Sequence, residues 1–397
     1  MSTRSHHSTA VIVCVFLACS SIFYETVGRI KFVESINTVC AEKSVDDGID
    51  PVGSVADTYS ISVSKNPIDT SCLRFATMEQ TFAAGLGHKV TEVIFGMVMA
   101  EETNSVFVLD DHIWLENGTH GSYDWLMDFL PLNETEFTKS ELEALSSDTP
   151  VTTVLDRWDV VVNQSKEENN ACNVLFSTRL EWCCDSADIC YCTMHPPRIG
   201  SFDRVKWRMR EAFSRSKYVP SRSLLDLGAL PKNEPILTIV WHVRQGDIVL
   251  NARKEHFDKL ASQIASVLSI GRIPVHVFLY GDGEIFENFP FLPYLCQQYF
   301  GGNCSYPALD VRDSLYYMIE SDVLITSGSS FPIIAAVLRA HGVVLHEYPK
   351  EYVLGIYELA EHGLIEYDGT ISTPSLRDLQ YQLQFMFNQK IKKLRNP

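Results

Sequence analysis

A buried strand that ends in a polar turn constrains the fold of this chain more than any other stretch. Residues 236–243 are mostly apolar, and the turn at their end holds His242, Arg244 and Asp247. A continuous apolar run is typical of a strand covered on both faces, as in a parallel α/β sheet. Ligands of such sheets bind outside the carboxyl ends of the strands, so these side chains are candidates for a site. A local Arg244–Asp247 ion pair that caps the turn is the structural alternative.

Strands and helices alternate regularly after this first strand. Helical apolar spacing covers residues 253–269 and 309–320, and short apolar runs cover 275–280, 322–326 and 343–346. This alternation predicts a doubly wound parallel sheet.

A second α/β pattern precedes it, over residues 73–110, in the order strand, glycine loop, helix, strand. Val90 stands where a dinucleotide-binding loop has its third glycine, and the Lys-Ser/Thr pair of a phosphate-binding P-loop is missing. Gly85 and Gly87 nevertheless allow close backbone approach at a helix N-terminus, with His88 beside them. A tight turn with a purely structural role is the alternative. Residues 112–200 show no such regularity, and we interpret them as an irregular insertion.

The strand over 322–326 runs into a turn of small residues, 327–331, and Pro332 suits the first position of the helix that follows. Free backbone N–H groups and the hydroxyls of Ser329 and Ser330 would bind an anion there. The same sheet edge carries Arg244, and a guanidinium beside a helix N-terminus suits a diphosphate. Simple capping by Ser330 is the alternative. Pro332 also replaces the second glycine of a GxSxG elbow, which argues against a serine hydrolase.

Length and charge limit the organisation and the partners. A chain of 397 residues is long for one core, so two domains are expected. Its net charge of −17 argues against a nucleic-acid partner, because no basic field surrounds the molecule. We predict an N-terminal segment over 1–25, a linker over 26–70, an α/β domain with a cysteine-rich insertion over 71–233, a Rossmann-like domain over 234–374 and a terminal helix over 375–397.

The N-terminal segment and two further features indicate the secretory pathway. Residues 10–24 are almost wholly apolar, which fits a signal peptide or a short signal anchor in the membrane, and we favour the anchor. Acceptor sequences for N-glycosylation occur at Asn117, Asn133, Asn163 and Asn303.

Cysteines are the second of these features. Nine of the eleven follow the apolar segment, and five of those nine are clustered at Cys172, Cys183, Cys184, Cys190 and Cys192. In an oxidising compartment such a cluster predicts disulfides, and a zinc site that includes His195 is the alternative.

Three short motifs resemble those of the fucosyltransferase superfamily, which contains the α1,2-, α1,6- and protein O-fucosyltransferases. HVRQGD at residues 242–247 resembles its HxRxGD motif. SDVLIT at 321–326, with SSF at 329–331, is similar to its later donor-site motif, and GLGH at 85–88 to its N-terminal glycine loop. The motifs appear in the family's order.

This resemblance implies a GT-B-like fold with two Rossmann-type domains, parallel sheets and the donor site in the C-terminal domain. It implies an inverting fucosyltransferase that uses GDP-fucose as donor and needs neither a metal nor another cofactor. The acceptor would be a glycan or glycoprotein, and the catalytic domain would lie in the lumen of the Golgi or endoplasmic reticulum.

The resemblance also implies roles for individual residues. Arg244 would bind the β-phosphate, His242 would line the nucleotide pocket and Asp322 would face the guanosine. A protein group that stabilises the charge of the departing diphosphate could replace a metal ion. The remaining donor-binding candidates are Ser329, Ser330 and Phe331 around the diphosphate, together with Gly85, Gly87 and His88 in the glycine loop.

The chain departs from the family pattern at two positions. Gln245 stands where many members have a second Arg, although protein O-fucosyltransferases also lack that Arg, and His88 stands where Asn is commoner. The general base is not identified by any motif, so Asp247, Glu255 and Asp282 are candidates. A non-catalytic secretory glycoprotein of the same fold and a transferase for another nucleotide sugar are the alternative functions.

Overall fold

The computed structural model describes residues 72–79, 85–110, 123–147, 149–167, 171–179, 199–244, 254–281, 285–327, 329–347, 364–365, 369–371 and 373–396. They belong to one compact unit, Val63–Pro397. Several predictions concern residues outside these ranges, namely the N-terminal segment, Asp247, Asp282, Asn117, His195 and the cysteines at 183, 184, 190 and 192.

The first half of the described chain forms a five-stranded sheet with the order β3-β2-β1-β5-β4, in which every neighbouring pair is parallel. Its strands are β1 (Arg74–Glu79), β2 (Val106–Leu109), β3 (Phe137–Thr138), β4 (Thr152–Leu155) and β5 (Val174–Arg179).

The interpretation of residues 112–200 as irregular is therefore wrong, because three of these strands lie within them. Two of the three carried little sequence signal. β3 has only two residues, and most of β4 is exposed at the edge of the sheet, so neither required an apolar run.

Six helices accompany this sheet in the described residues. They are α1 (Leu86–Thr103), α2 (Leu126–Phe129), α3 (Lys139–Ser146), α4 (Trp158–Glu167), α5 (Ile199–Ser214) and α6 (Leu224–Leu227). α1 starts after Gly85 and ends at Asn104, whose left-handed φ of 50° terminates the helix. Nearly all of α1 is buried, which is expected of a helix that is apolar on most sides. α3 begins in a capping box between Thr138 and Glu141.

The second half forms a six-stranded parallel sheet with the order β11-β10-β9-β6-β7-β8. Its strands are β6 (Leu237–His242), β7 (Val275–Tyr280), β8 (Cys304–Ser305), β9 (Val323–Thr326), β10 (Val343–Glu347) and β11 (Leu364–Ile365). The predicted α/β class, with two Rossmann-type parallel sheets in one chain, is confirmed.

Six further helices belong to this half of the described chain. They are α7 (Lys254–Gly271), α8 (Ile285–Asn288), α9 (Leu292–Phe300), α10 (Val311–Glu320), α11 (Ser330–Leu338) and α12 (Thr373–Arg395). None of the helices in the described ranges has the length and hydropathy of a membrane span.

The core extends from one sheet to the other. α1 packs against β1 and β2 on one side and against α11 on the other. One hydrophobic cluster accordingly contains Phe176 of the first sheet together with Val240 and Leu324 of the second. On the opposite face of the second sheet, a separate cluster contains Trp241 and residues of α7 and α12. Every residue of β6 is buried, as a strand covered on both faces requires.

Two disulfides are present in the described residues. Cys72 pairs with Cys172, and Cys296 pairs with Cys304. The first joins the start of β1 to the start of β5 across 100 residues, whereas the second closes a segment of 8 residues between α9 and β8. The expectation that the chain contains disulfides is confirmed, and of the predicted cluster Cys172 pairs with Cys72, which lies outside that cluster.

Removal of the Cys72–Cys172 disulfide should destabilise the protein more than removal of Cys296–Cys304. Loop-closure entropy in the unfolded chain predicts costs of about 4.7 and about 2.5 kcal/mol for loops of these two lengths. Paired Cys→Ala variants compared by denaturant unfolding without reductant measure the difference. Equal losses for the two pairs would contradict this account.

Candidate functional site

Arg244 and the start of α11 meet at the carboxyl edge of the second sheet. The backbone leaves β6 at His242, and the Val243 N–H donates to the Tyr280 carbonyl oxygen at 2.6 Å, which continues the pairing with β7. One residue later, the Arg244 guanidinium Nη1 donates to Ser329 Oγ. The structure thus brings together the two sequence features predicted to bind a diphosphate.

His242 is a neutral, buried member of this site. It is 7% exposed, its Nδ1 lies 2.7 Å from Ser327 Oγ, and its ring centroid lies 6.0 Å from that of Phe331. Burial lowers the pKa of His242 from 6.5 to about 3, and the positive charge of Arg244 contributes to the decrease. An uncharged imidazole can orient the turn at residue 327 without adding a proton-dependent charge.

The start of α11 has the geometry of an anion-binding helix terminus. Ser329 is the N-cap in extended conformation, and its Oγ accepts a hydrogen bond from the Phe331 N–H at 3.4 Å. The first turn has no acidic side chain. The backbone N–H groups and partial positive charge of the helix start therefore add to the charge of Arg244.

Gly87 brings the glycine loop to the same place. A Cβ atom at this position would lie 2.4 Å from Ser330 Oγ and 2.7 Å from the Phe331 nitrogen. Only a residue without a side chain lets the first turn of α1 approach the first turn of α11 so closely. The three motifs predicted to form the donor site are thus adjacent in space.

The first turn of α1 carries a histidine–carboxylate pair. His88 Nε2 lies 3.3 Å from Glu92 Oε1, and the two side chains are 41% and 0% exposed, respectively. The neighbouring Lys89 is buried, and its ammonium lies 5.8 Å from the ring centroid of Tyr123.

The structure does not bring Asp322 to this site. Asp322 precedes β9, whereas Ser327 follows it, so they lie at opposite ends of the strand, about 16 Å apart at ~3.3 Å per residue. The Asp322 carboxylate accepts hydrogen bonds from Thr238 N at 2.7 Å and Thr238 Oγ1 at 2.8 Å, and it pairs with Lys390 Nζ at 2.7 Å. These contacts join β6, β9 and α12 at the amino edge of the sheet, which is a structural role.

A cavity of about 650 Å³ lies beyond the carboxyl end of β8. Asp313 lines it from α10, and its carboxylate accepts a hydrogen bond from the Tyr218 hydroxyl. Tyr317 also lines it and donates to the Arg222 carbonyl oxygen. The other lining residues are Ser221, Arg222, Leu227, Cys304, Ser305, Tyr306, Pro307, Ala308 and Leu309. This cavity was not predicted from the sequence.

Tyr280 lies beside His242 and within electrostatic range of Tyr317 and Asp313, which line the cavity. It is in register with His242 on the neighbouring strand, so both side chains lie on the same face of the sheet. Among the described residues, its buried hydroxyl has no hydrogen-bond partner. Burial raises the pKa of Tyr280, and Tyr317 and Asp313 raise it further. A neutral donor at the end of a buried strand was a detectable sequence signal that the prediction missed.

A second cavity, of about 520 Å³, lies at the carboxyl ends of β1, β2 and β5 under α3. Glu79, Asp110 and Glu143 supply carboxylates to it, and Asp110 pairs with Lys139 at 3.1 Å. Ser177 also lines it, and within the described residues its buried Oγ has no hydrogen-bond partner. The aliphatic lining residues are Val108, Leu142, Val151 and Leu175.

Of the three candidates for the general base, the described residues include Glu255. Glu255 is exposed in the first turn of α7. Asp247 and Asp282 lie outside the described residues. None of the three is tested by these observations, and each stays a prediction.

Comparisons with known proteins give structural neighbours at low similarity. No protein-family model and no curated protein matches the chain. The fucosyltransferase NodZ from Bradyrhizobium is 12% identical over 76% of this chain and 98% of its own, with a TM-score of 0.32. POFUT1 in its apo form is 11% identical over 70% and 98%, with a TM-score of 0.38. The E. coli ADP-heptose heptosyltransferase II is 11% identical over 81% and 99%, with a TM-score of 0.35. Similarities at this level assign no function.

Acid should destabilise the protein partly through His242. The folded-state pKa of about 3 lies below the unfolded value of 6.5, so this residue's contribution to stability is complete above pH 6.5 and is lost as pH falls towards 3. Each such residue makes the free energy of unfolding rise by about 1.4 kcal/mol per pH unit between the two pKa values. Buried His346, whose pKa is also about 3, adds a second contribution of this kind.

Between pH 4 and 6, the free energy of unfolding should therefore rise less steeply with pH in His242→Asn than in the wild type. The difference in slope should correspond to about one proton. His341→Asn, which replaces an exposed histidine in the same way, is the matched control. An unchanged slope in His242→Asn would show that His242 is protonated in the folded protein.

Proposed function

We propose that this protein is a glycosyltransferase that moves fucose from GDP-fucose to a glycan or glycoprotein acceptor in the secretory lumen. The observation that carries the proposal is the contact between the Arg244 guanidinium and Ser329 at the start of α11. Arg244 and Ser329 belong to two motifs that resemble those of fucosyltransferases, and Gly87 of the third motif adjoins the same helix start.

The charge distribution at this site suits a departing diphosphate. When the bond between the sugar and the phosphate breaks, negative charge develops on the phosphate oxygens. A partly buried guanidinium and the N–H groups of a helix start are oriented before the reaction, so they stabilise that charge without further reorganisation. His242 stays neutral beside them and leaves the positive potential of Arg244 unchanged from weakly acidic to basic pH.

The cavity at Asp313 suits the nucleoside half of the donor. It lies at the carboxyl edge of the same sheet, next to Tyr280, which is in register with His242. A carboxylate accepts two N–H groups, and the edge of guanine offers a ring N–H beside an amino group. Uracil presents only one N–H on that edge, so Asp313 favours GDP over UDP.

The cavity under α3 suits the acceptor. Its three carboxylates and the Ser177 hydroxyl can bind sugar hydroxyl groups, and its aliphatic residues can contact the C–H faces of a sugar ring. It lies at the end of β1, and the chain proceeds from there through the glycine loop to Gly87. The acceptor and donor would then approach each other at the start of α1.

Replacement of Arg244 tests the diphosphate assignment. Arg244→Ala should weaken GDP binding by about 10- to 100-fold, because a hydrogen bond to a charged group contributes about 1.5–3 kcal/mol. It should reduce transfer from GDP-fucose by about 100- to 1,000-fold, as expected when a donor to a developing oxyanion is lost. Calorimetry and a transfer assay on a glycan panel measure the two effects.

Arg244→Lys should restore part of the affinity through charge but little of the rate, because Lys lacks the bidentate fork. Arg204→Ala is the control, since Arg204 is 59% exposed and pairs with Glu101 on the first half of the chain. Transfer at the wild-type rate by Arg244→Ala would refute the assignment. Turnover with a different nucleotide sugar, but not with GDP-fucose, would instead favour the alternative donor.

Replacement of Asp313 tests how the protein recognises the guanine base of the donor. Asp313→Asn should reduce the ratio of GDP to UDP affinity by about 10-fold or more, because an amide oxygen accepts these bonds without charge. Affinities for both nucleotides measured on the same variant give the ratio. Asp310→Asn, which alters the cap of α10 and not the cavity, should leave the ratio unchanged. An equal fall of both affinities in Asp313→Asn would show that the guanine ring binds elsewhere.

A further inference from the structure

We propose that His88 is the general base of the transfer reaction and that Glu92 positions it. This inference rests on the proposed function and adds the residue that the motifs do not identify. The family resemblance gives His88 only a donor-binding role, at a position where that family commonly has Asn.

The pair has the geometry of a base held by a carboxylate. His88 Nε2 lies 3.3 Å from Glu92 Oε1, four residues later on the same helix. Glu92 is fully buried in α1, whereas His88 is 41% exposed. The imidazole is thus held from the protein side and open on the other side, where an acceptor hydroxyl can approach it.

His88 lies next to the proposed donor site. Gly87, the preceding residue, packs against Ser330 and the Phe331 nitrogen at the start of α11. Side chains of a helix point towards its N-terminus, and the N-terminus of α1 is the end that meets this donor site. The proposed acceptor cavity begins at Glu79, on the strand that leads into the glycine loop.

Glu92 determines which nitrogen of His88 carries the proton. A carboxylate beside Nε2 favours the tautomer in which Nε2–H donates to it, so Nδ1 keeps its lone pair. The same arrangement stabilises the imidazolium that forms when Nδ1 accepts a proton. A pair that only strengthened the first turn of the helix would not require a fully buried carboxylate.

The transfer step balances with these groups. The acceptor oxygen forms a bond to the anomeric carbon of the sugar while its proton passes to His88 Nδ1. The bond between that carbon and the β-phosphate oxygen breaks, and its electron pair leaves on the diphosphate, beside Arg244 and the start of α11. The imidazolium then releases the proton to solvent from its exposed side.

Three variants test the two roles against the wild type. His88→Ala and His88→Gln should bind GDP within about threefold of the wild type and lose transfer by about 100- to 10,000-fold, the usual contribution of a general base. Glu92→Gln should lower kcat while the KM for GDP-fucose stays within about threefold, because it disturbs the orientation of the imidazole and not the diphosphate.

Added imidazole separates catalysis from structure. It should restore part of the transfer by His88→Ala, since a free base can occupy the space of the lost ring, and should not affect His88→Gln, where that space is filled. His341→Ala, which removes an exposed histidine, should transfer normally with or without imidazole.

The outcomes distinguish this inference from the proposed function. Wild-type protein that neither binds GDP nor transfers fucose would overturn the proposed function and this inference with it. Wild-type protein that transfers fucose, together with undiminished transfer by His88→Ala, would overturn only the assignment of the base. Retained GDP binding with lost, imidazole-dependent transfer supports both.

Discussion

The close approach of α1 and α11 is the constraint on which the candidate site depends. Their first turns touch at Gly87 and Ser330, with no room for a Cβ atom on the glycine. Because these helices follow the carboxyl ends of strands in different sheets, the contact unites two sheet edges that are far apart in sequence. Arg244 then completes the site through Ser329. A side chain at position 87 would separate the helix starts and take the glycine loop away from Arg244.

The burial of this junction also determines its electrostatics. His242 and His346 are buried at the same sheet edge, and burial keeps both neutral at physiological pH. Arg244 brings a positive charge to the start of α11 on that edge. A guanidinium beside a helix terminus favours an anion with several oxygens over a cationic or apolar ligand.

The sequence predicted the parts of this arrangement that depend on local pattern. Apolar runs revealed β6, β7 and β9, and a parallel sheet places the turns after such strands along one edge, so Arg244 and Ser329 could be expected to meet. Asp322 was assigned to the site by resemblance alone, whereas the predicted strand over 322–326 already places it at the amino end, opposite the edge that carries Arg244. Short or exposed edge strands such as β4 left no apolar run to detect.

Features that join distant segments were beyond prediction for a different reason. The Cys72–Cys172 disulfide spans 100 residues, and the pairing of cysteines cannot be deduced from their order. The cavity at Asp313 is formed by α10, β8 and the segment before α6, and no local signal connects them. The His88–Glu92 pair is different, because its spacing of four residues on a predicted helix was visible in the sequence.

A crystal structure of the protein with GDP would show where the diphosphate binds. The β-phosphate should lie within hydrogen-bonding distance of the Arg244 guanidinium and of the Ser329–Ser330 helix start, with the guanine edge at Asp313. A nucleotide bound elsewhere, or a diphosphate that contacts neither Arg244 nor the start of α11, would contradict it.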